Sequence, residues 1–216
     1  MGDDNKILCM LPICCYPANL DSNRGGERMQ QYVKGLTKFF EYNDTFKKYN
    51  VDIYIVDNSI KDGNRLPLEI LNILPNNVKI NTSLNNTFGA VNKGAGLIEQ
   101  WRHCKDIIAK YDWLIHFEPR QLLLNFDFIN IFLENPRNLF TFGNGKNHFN
   151  TGLFTIQTNI LLDYSNKCIL KHMVSQSISI EYDLYHYIRL NHIQYDILDK
   201  LNLVWFDYVG KHSHYF

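Results

Sequence analysis

The side chains with chemical reach cluster at the ends of apolar runs. Residues 51–57 are β-branched and close on the carboxylate of Asp57, with Asn58 and Ser59 directly after it. A carboxylate and an amide at the edge of a buried strand could accept from a uracil N–H or a ribose hydroxyl. Asp57 could equally cap the turn into Lys61, Asp62 and Gly63. A second cluster, residues 85–94, carries Asn85, Asn86, Gly89, Asn92 and Gly94 just ahead of a long helical pattern. Small residues there admit close approach of a ligand, and the helix N-terminus attracts an anion. Tight packing of a helix end on a sheet would use the same residues. The spacing is neither G-x-G-x-x-G nor G-x-x-x-x-G-K-[ST], so neither a dinucleotide fingerprint nor a P-loop is supported.

Apolar runs of strand length are the elements that must position these groups. They fall at residues 6–13, 51–57, 78–82, 113–117, 139–143, 152–156 and 203–206, and most lack polar alternation. Helical spacing covers residues 27–41, 89–110, 158–164 and 181–191. Alternation of the two predicts a single α/β domain over residues 1–216, a Rossmann-related mixed and mostly parallel sheet with helices on both faces. In such sheets ligands sit beyond the carboxyl ends of the strands. That rule selects residues 12–28, 57–59, 85–92 and 118–120. The polar stretch at residues 19–28, with Arg24, Gly25, Gly26 and Arg28, is either a flap over phosphates or a lead-in to the first helix.

Composition removes several classes. Lysine and arginine number 22, and so do aspartate and glutamate, so the formal net charge is zero and a dedicated nucleic-acid binder is disfavoured. With 45% hydrophobic and 20% charged residues the chain is not disordered. Five cysteines without paired spacing argue against a disulfide scaffold and for a reducing compartment, taken as the cytoplasm. The apolar run at residues 7–15 contains Pro12 and is too short to cross a bilayer.

The ordered set of a strand ending in Asp57-Asn58, a turn with Asn86, Gly89, Asn92 and Gly94, a long helix, and the run Tyr111-Asp112-Trp113-Leu114-Ile115-His116-Phe117-Glu118 resembles family-2-type glycosyltransferases of the GT-A fold. The resemblance extends over roughly residues 6–189. It implies a nucleotide-sugar donor, an acceptor hydroxyl on a glycan or another molecule, and a divalent metal, Mn or Mg, at the donor diphosphate. It also implies a nucleotide-sugar site built from Pro12, Asp57, Asn58, Asn86, Asn92, Glu118 and Gly152, the last on a Gly-containing strand after Phe149-Asn150-Thr151. The run Ser179-Ile180-Glu181-Tyr182-Asp183-Leu184 resembles the acidic segment that opens the acceptor-side helix. By that resemblance a carboxylate there is the base of an inverting enzyme, Glu181 ahead of Asp183. Alternatively, both acids favour a helix N-terminus through its dipole.

The departure is at the metal motif. Where D-x-D is expected the chain reads His116-Phe117-Glu118-Pro119-Arg120. Arg120 cannot ligate a cation, but its fork pairs with phosphate and could replace the metal. His116 and Glu118, on one face of the strand, could instead be metal ligands, joined by His212 near the C-terminus. A third reading is a structural Glu118–Arg120 ion pair in a dead site. His103, His148, His172, His186 and His192 read as surface or satisfied core. Two alternatives to a glycosyltransferase stand: a nucleotidyltransferase, with Arg24-Gly25-Gly26-Glu27-Arg28 as a loose phosphate loop, and a non-catalytic domain that binds a nucleotide sugar or glycan.

Overall fold

The computed structural model describes residues 5–17, 22–143, 146–206 and 213–215. They form β1 (Ile7–Ile13), α1 (Ser22–Phe40), α2 (Asn43–Lys48), β2 (Asp52–Asp57), α3 (Leu68–Leu71), β3 (Lys79–Thr82), α4 (Lys93–His103), α5 (Lys105–Ile108), β4 (Trp113–Phe117) and β5 (Gln121–Leu123). Then follow α6 (Asp127–Glu134), β6 (Leu139–Phe140), β7 (Leu153–Gln157), α7 (Thr158–Lys167), α8 (Leu170–Ser175), α9 (Ile180–Leu190), β8 (Asp196–Ile197), β9 (Leu203–Phe206) and β10 (Ser213–Tyr215).

β1 is apolar at every position because both of its faces are covered. Cys9, Leu11 and Ile13 point to one layer, against Leu36 and Phe39 of α1, Phe46 of α2 and Phe132 of α6. Leu8 and Met10 point to the other, against Ile98 and Trp101 of α4, Leu161 of α7 and Leu184 of α9. Period-two alternation with no solvent face is what a central strand of a two-sided sheet requires. The main sheet has seven strands in the order β3-β2-β1-β4-β7-β6-β8. It is parallel from β3 to β4, and β7 runs antiparallel to both β4 and β6. The expected mixed, mostly parallel α/β architecture is therefore present. Among the described residues no helix is long and apolar enough to cross a membrane.

Several local expectations change. The first helix starts at Ser22, so the polar stretch before Arg28 is helical from that residue rather than a flap. The helix expected over residues 89–110 is divided. The carboxylate of Glu99 accepts from the backbone N–H groups of Phe88 and Gly89, which folds the preceding segment into a turn. Helix α4 then starts behind Asn92, whose Oδ1 caps the Ala95 N–H at 3.0 Å, and it ends at Cys104 before the short α5. The strand expected at 139–143 contracts to Leu139–Phe140 plus a bridge between Phe142 and Phe149. Residues 203–206 do form a strand, but in a second, three-stranded sheet with β5 and β10.

Candidate active site

A cleft of about 820 Å³ opens at the carboxyl ends of β1, β2 and β4 and reaches the N-terminus of α9. On one side it is bounded by the segment that leaves β4. There Glu118 still donates its N–H to Gly152 O of the neighbouring strand. Pro119 lacks an N–H and interrupts the ladder, and Arg120 folds back onto Glu118. Arg120 is 5% exposed. Its Nη2 and Nε reach Glu118 Oε1 at 2.5 and 3.1 Å. Burial pushes the Glu118 carboxyl up, but the guanidinium of Arg120, and Arg28 beyond it, outweigh that and hold it at about 2. A helix supports this segment from below: a Cβ on Gly35 would lie 1.9 Å from Pro119 O, so only glycine lets α1 approach so closely.

Asp57 does not line the cleft. It is 2% exposed, its Oδ2 accepts from Cys15 N at 2.8 Å, and its Oδ1 accepts from Ser59 N and Ser59 Oγ. The carboxylate thus ties the loop after β1 to the loop after β2, a local clamp where a base contact was expected. Asn58, the next residue, does line the cleft. Its Nδ2 donates to Asn86 Oδ1 and to Gly96 O, while its buried Oδ1 has no partner. Pro12, Asn86 and Asn92 border the cleft as well. Asn92, however, has both ends of its amide in use: Oδ1 caps α4, and Nδ2 donates to Met173 O and Ile178 O. The glycines of the turn serve close packing. A Cβ on Gly89 would fall 2.6 Å from Gly96 Cα, and one on Gly94 would fall 2.7 Å from Ile180 Cβ.

The two acidic residues at the start of α9 part company. Glu181 lines the cleft, and its Oε1 accepts from Thr151 Oγ1 at 3.0 Å. Asp183 is turned into the helical layer, where its Oδ2 accepts from Tyr164 Oη at 2.9 Å. Gly152 also lines the cleft and is held open by Gln121, whose Nε2 would lie 2.2 Å from an added Cβ. Arg28, in the stretch expected beside phosphates, lines the cleft, and so do Gln100 and His148, which the sequence did not mark. Gln100 donates to Ile13 O at 2.8 Å, joining α4 to the end of β1. Its signal was a polar residue on the buried face of a helix. His148 was read as surface or satisfied core, because nothing in its spacing marked it.

No family model matches the chain, and no curated protein does. Solved structures do match. A provisionally named nucleotide-diphospho-sugar transferase from Desulfovibrio desulfuricans G20 superposes with a TM-score of 0.57 at 9% identity, over 90% of this chain and 80% of that one. The two chains share a fold. A provisionally named glucose-1-phosphate thymidylyltransferase from Bacillus anthracis gives 0.53 at 9% identity, over 96% of this chain and 90% of its own. A cytidylyltransferase from Leptospira borgpetersenii gives 0.51 at 9% identity, over 91% and 76%.

A divalent cation does not fit the donor set at His116 and Glu118. The Glu118 carboxylate is already held by Arg120, and Arg28 adds a second positive charge nearby. His116 is 1% exposed, stacked on Phe154 and edge-on to Trp101, and burial lowers it to about 4 against the opposing pull of Glu118. Its Nδ1 has no partner, but one neutral imidazole is not a cation site. Among the described residues no three His, Cys, Asp or Glu side chains converge to hold a metal, and His212 lies outside them.

Proposed function

We propose that the chain transfers a sugar from a nucleotide-sugar donor to an acceptor hydroxyl, with inversion and without a divalent metal. One observation carries this reading: in a nucleotide-sugar transferase fold, a carboxylate, Glu181, and a buried guanidinium, Arg120, line the same cleft at the carboxyl ends of the sheet. The acceptor oxygen attacks the anomeric carbon from the face away from the diphosphate, and its proton passes to Glu181. Thr151 occupies Oε1 of that carboxylate, so Oε2 takes the proton. The bond from the anomeric carbon to the diphosphate oxygen breaks, and its electron pair leaves with the diphosphate. Arg120 meets the charge that develops there, the larger electrostatic contribution in such a reaction. Pro12, Asn58, Asn86 and Gly152 form the donor side, while Asp57 and Asn92 hold the loops that carry it.

The test is a panel of UDP-, GDP- and dTDP-sugars with glycan and small alcohol acceptors, run in EDTA and in Mn²⁺. Release of nucleoside diphosphate with a glycosylated product in EDTA supports the reading. Strict dependence on Mn²⁺ overturns its metal-free part, and nucleotide binding without turnover of any donor favours a binding domain. A second reading, nucleotidyl transfer, is favoured by the thymidylyl- and cytidylyltransferase folds among the matches. Against it, Gly25 and Gly26 lie inside α1 and not in a loop. Pyrophosphate release from a nucleoside triphosphate and a sugar 1-phosphate would identify that activity.

A further inference from the structure

The residue that joins Arg120 at the cleft is Arg28, six residues into α1. Its Nε donates to Cys14 O at 3.0 Å and its Nη2 to Tyr32 Oη at 3.2 Å, one helical turn on. The same phenol oxygen accepts from Cys14 N at 2.9 Å, and Tyr32 is almost fully buried. Helix α1 and the loop leaving β1 therefore hold one guanidinium in a fixed pose through uncharged partners. These partners orient the charge and do not neutralise it.

We infer that Arg28 is a second phosphate-binding residue, which with Arg120 makes a two-guanidinium site for the diphosphate of a nucleoside diphosphate. The inference rests on the nucleotide-sugar reading of this cleft. Arg28 and Arg120 lie close enough that each acts on the Glu118 carboxyl and on the Tyr32 phenol. Glu118 offsets one of the two charges, so this wall keeps a net positive charge that favours an anion. The Nε and Nη2 groups already hold each guanidinium in place, on Cys14 and Tyr32 for Arg28 and on Glu118 for Arg120, so two adjacent phosphoryl groups meet two prepositioned charges. The spacing between them is set by backbone packing. Gly35, about two turns beyond Arg28, abuts Pro119 O and Gln121 O on either side of Arg120. This is the chemistry a divalent cation would otherwise supply, at a place whose donor set rejects one.

The experiment is titration calorimetry of wild type, Arg28→Gln and Arg28→Lys with UDP, GDP, dTDP, the matching nucleosides and inorganic diphosphate, all in EDTA. The expected result is a 10- to 100-fold weaker Kd for the preferred nucleoside diphosphate in Arg28→Gln, the scale of a lost charged hydrogen bond. Arg28→Lys should fall between, and nucleoside affinity should stay unchanged, which also shows that the variants are folded. Equal diphosphate affinity in wild type and Arg28→Gln overturns the inference while leaving the nucleotide reading intact. Failure of wild type to bind any of the three nucleotides sinks the nucleotide reading. Binding of inorganic diphosphate that is lost in Arg28→Gln would still support the arginine pair in that case.

Discussion

Helix α1 contains glycines whose replacement by alanine should act with opposite signs. An added Cβ at Gly25 meets nothing within 4 Å, whereas one at Gly35 lands 1.9 Å from Pro119 O and 2.7 Å from Gln121 O, both backbone atoms. Ordinary contact begins near 3.4 Å, so Gly35→Ala forces a separation of about 1.5 Å between α1 and the segment carrying Arg120. Overpacking of this kind costs about 1–3 kcal/mol. Alanine returns at most ~1 kcal/mol of helix propensity, and the backbone identity of the clashing atoms puts the cost at the upper end. The net loss is about 2 kcal/mol. Gly25→Ala has only the propensity gain, about 0.5–1 kcal/mol in the first turns of the helix. At ~2–4 °C per kcal/mol for a chain of this size, scanning calorimetry should read a Tm about 6 °C lower for Gly35→Ala and about 2 °C higher for Gly25→Ala. The displaced segment should also weaken nucleoside diphosphate binding in Gly35→Ala alone. Equal stabilisation by both alanines would refute the close approach, and with it the fixed spacing of Arg28 and Arg120.

Three further outcomes follow from individual side chains. Glu181→Gln should lower kcat by about 10²–10⁴ with donor Kd unchanged, while Asp183→Asn should act mainly on stability; the reverse pattern in steady-state kinetics would reassign the base. Native His116 resists protonation, so the folded protein should lose about 3 kcal/mol as pH falls from 6.5 to about 4. His116→Phe, which keeps the ring between Phe154 and Trp101, should shrink the difference in urea-unfolding free energy between pH 7.5 and 5.0 by about 2 kcal/mol. The depressed Glu118 carboxyl adds a separate loss at lower pH, between its ordinary value near 4.5 and about 2. Asp57→Asn should destabilise by about 1–3 kcal/mol, because the buried Cys15 N–H would face an amide in place of its carboxylate acceptor; unchanged urea midpoints would mean that the loop clamp is dispensable.

The apolar runs determined the fold class without help from tertiary contacts. A strand covered on both faces must be apolar throughout, as in residues 7–13 and 53–56, and helical periods between such strands leave few alternatives to a two-sided parallel sheet. The carboxyl-edge rule then located the cleft, since Pro12, Asn58, Asn86, Glu118 and Arg120 all border it. Weak or short elements were not legible. β5 and β8 have three and two residues and exist because neighbouring strands supply their partners.

Orientation was the part that the sequence could not supply. Asp57 closes its strand as read, yet its carboxylate turns inward because Cys15 and Ser59 present three donors there. The sequence offers Arg24 and Arg28 alike, and only the fold brings Cys14 and Arg120 beside Arg28. Glu181 and Asp183 stand two residues apart in one helix, which at 3.6 residues per turn sets them about 200° apart. Only one of them can face a cleft. Residue type gives both the same chemistry, and the packing of α9 against Tyr164 on one side and Thr151 on the other decides which one faces the cleft.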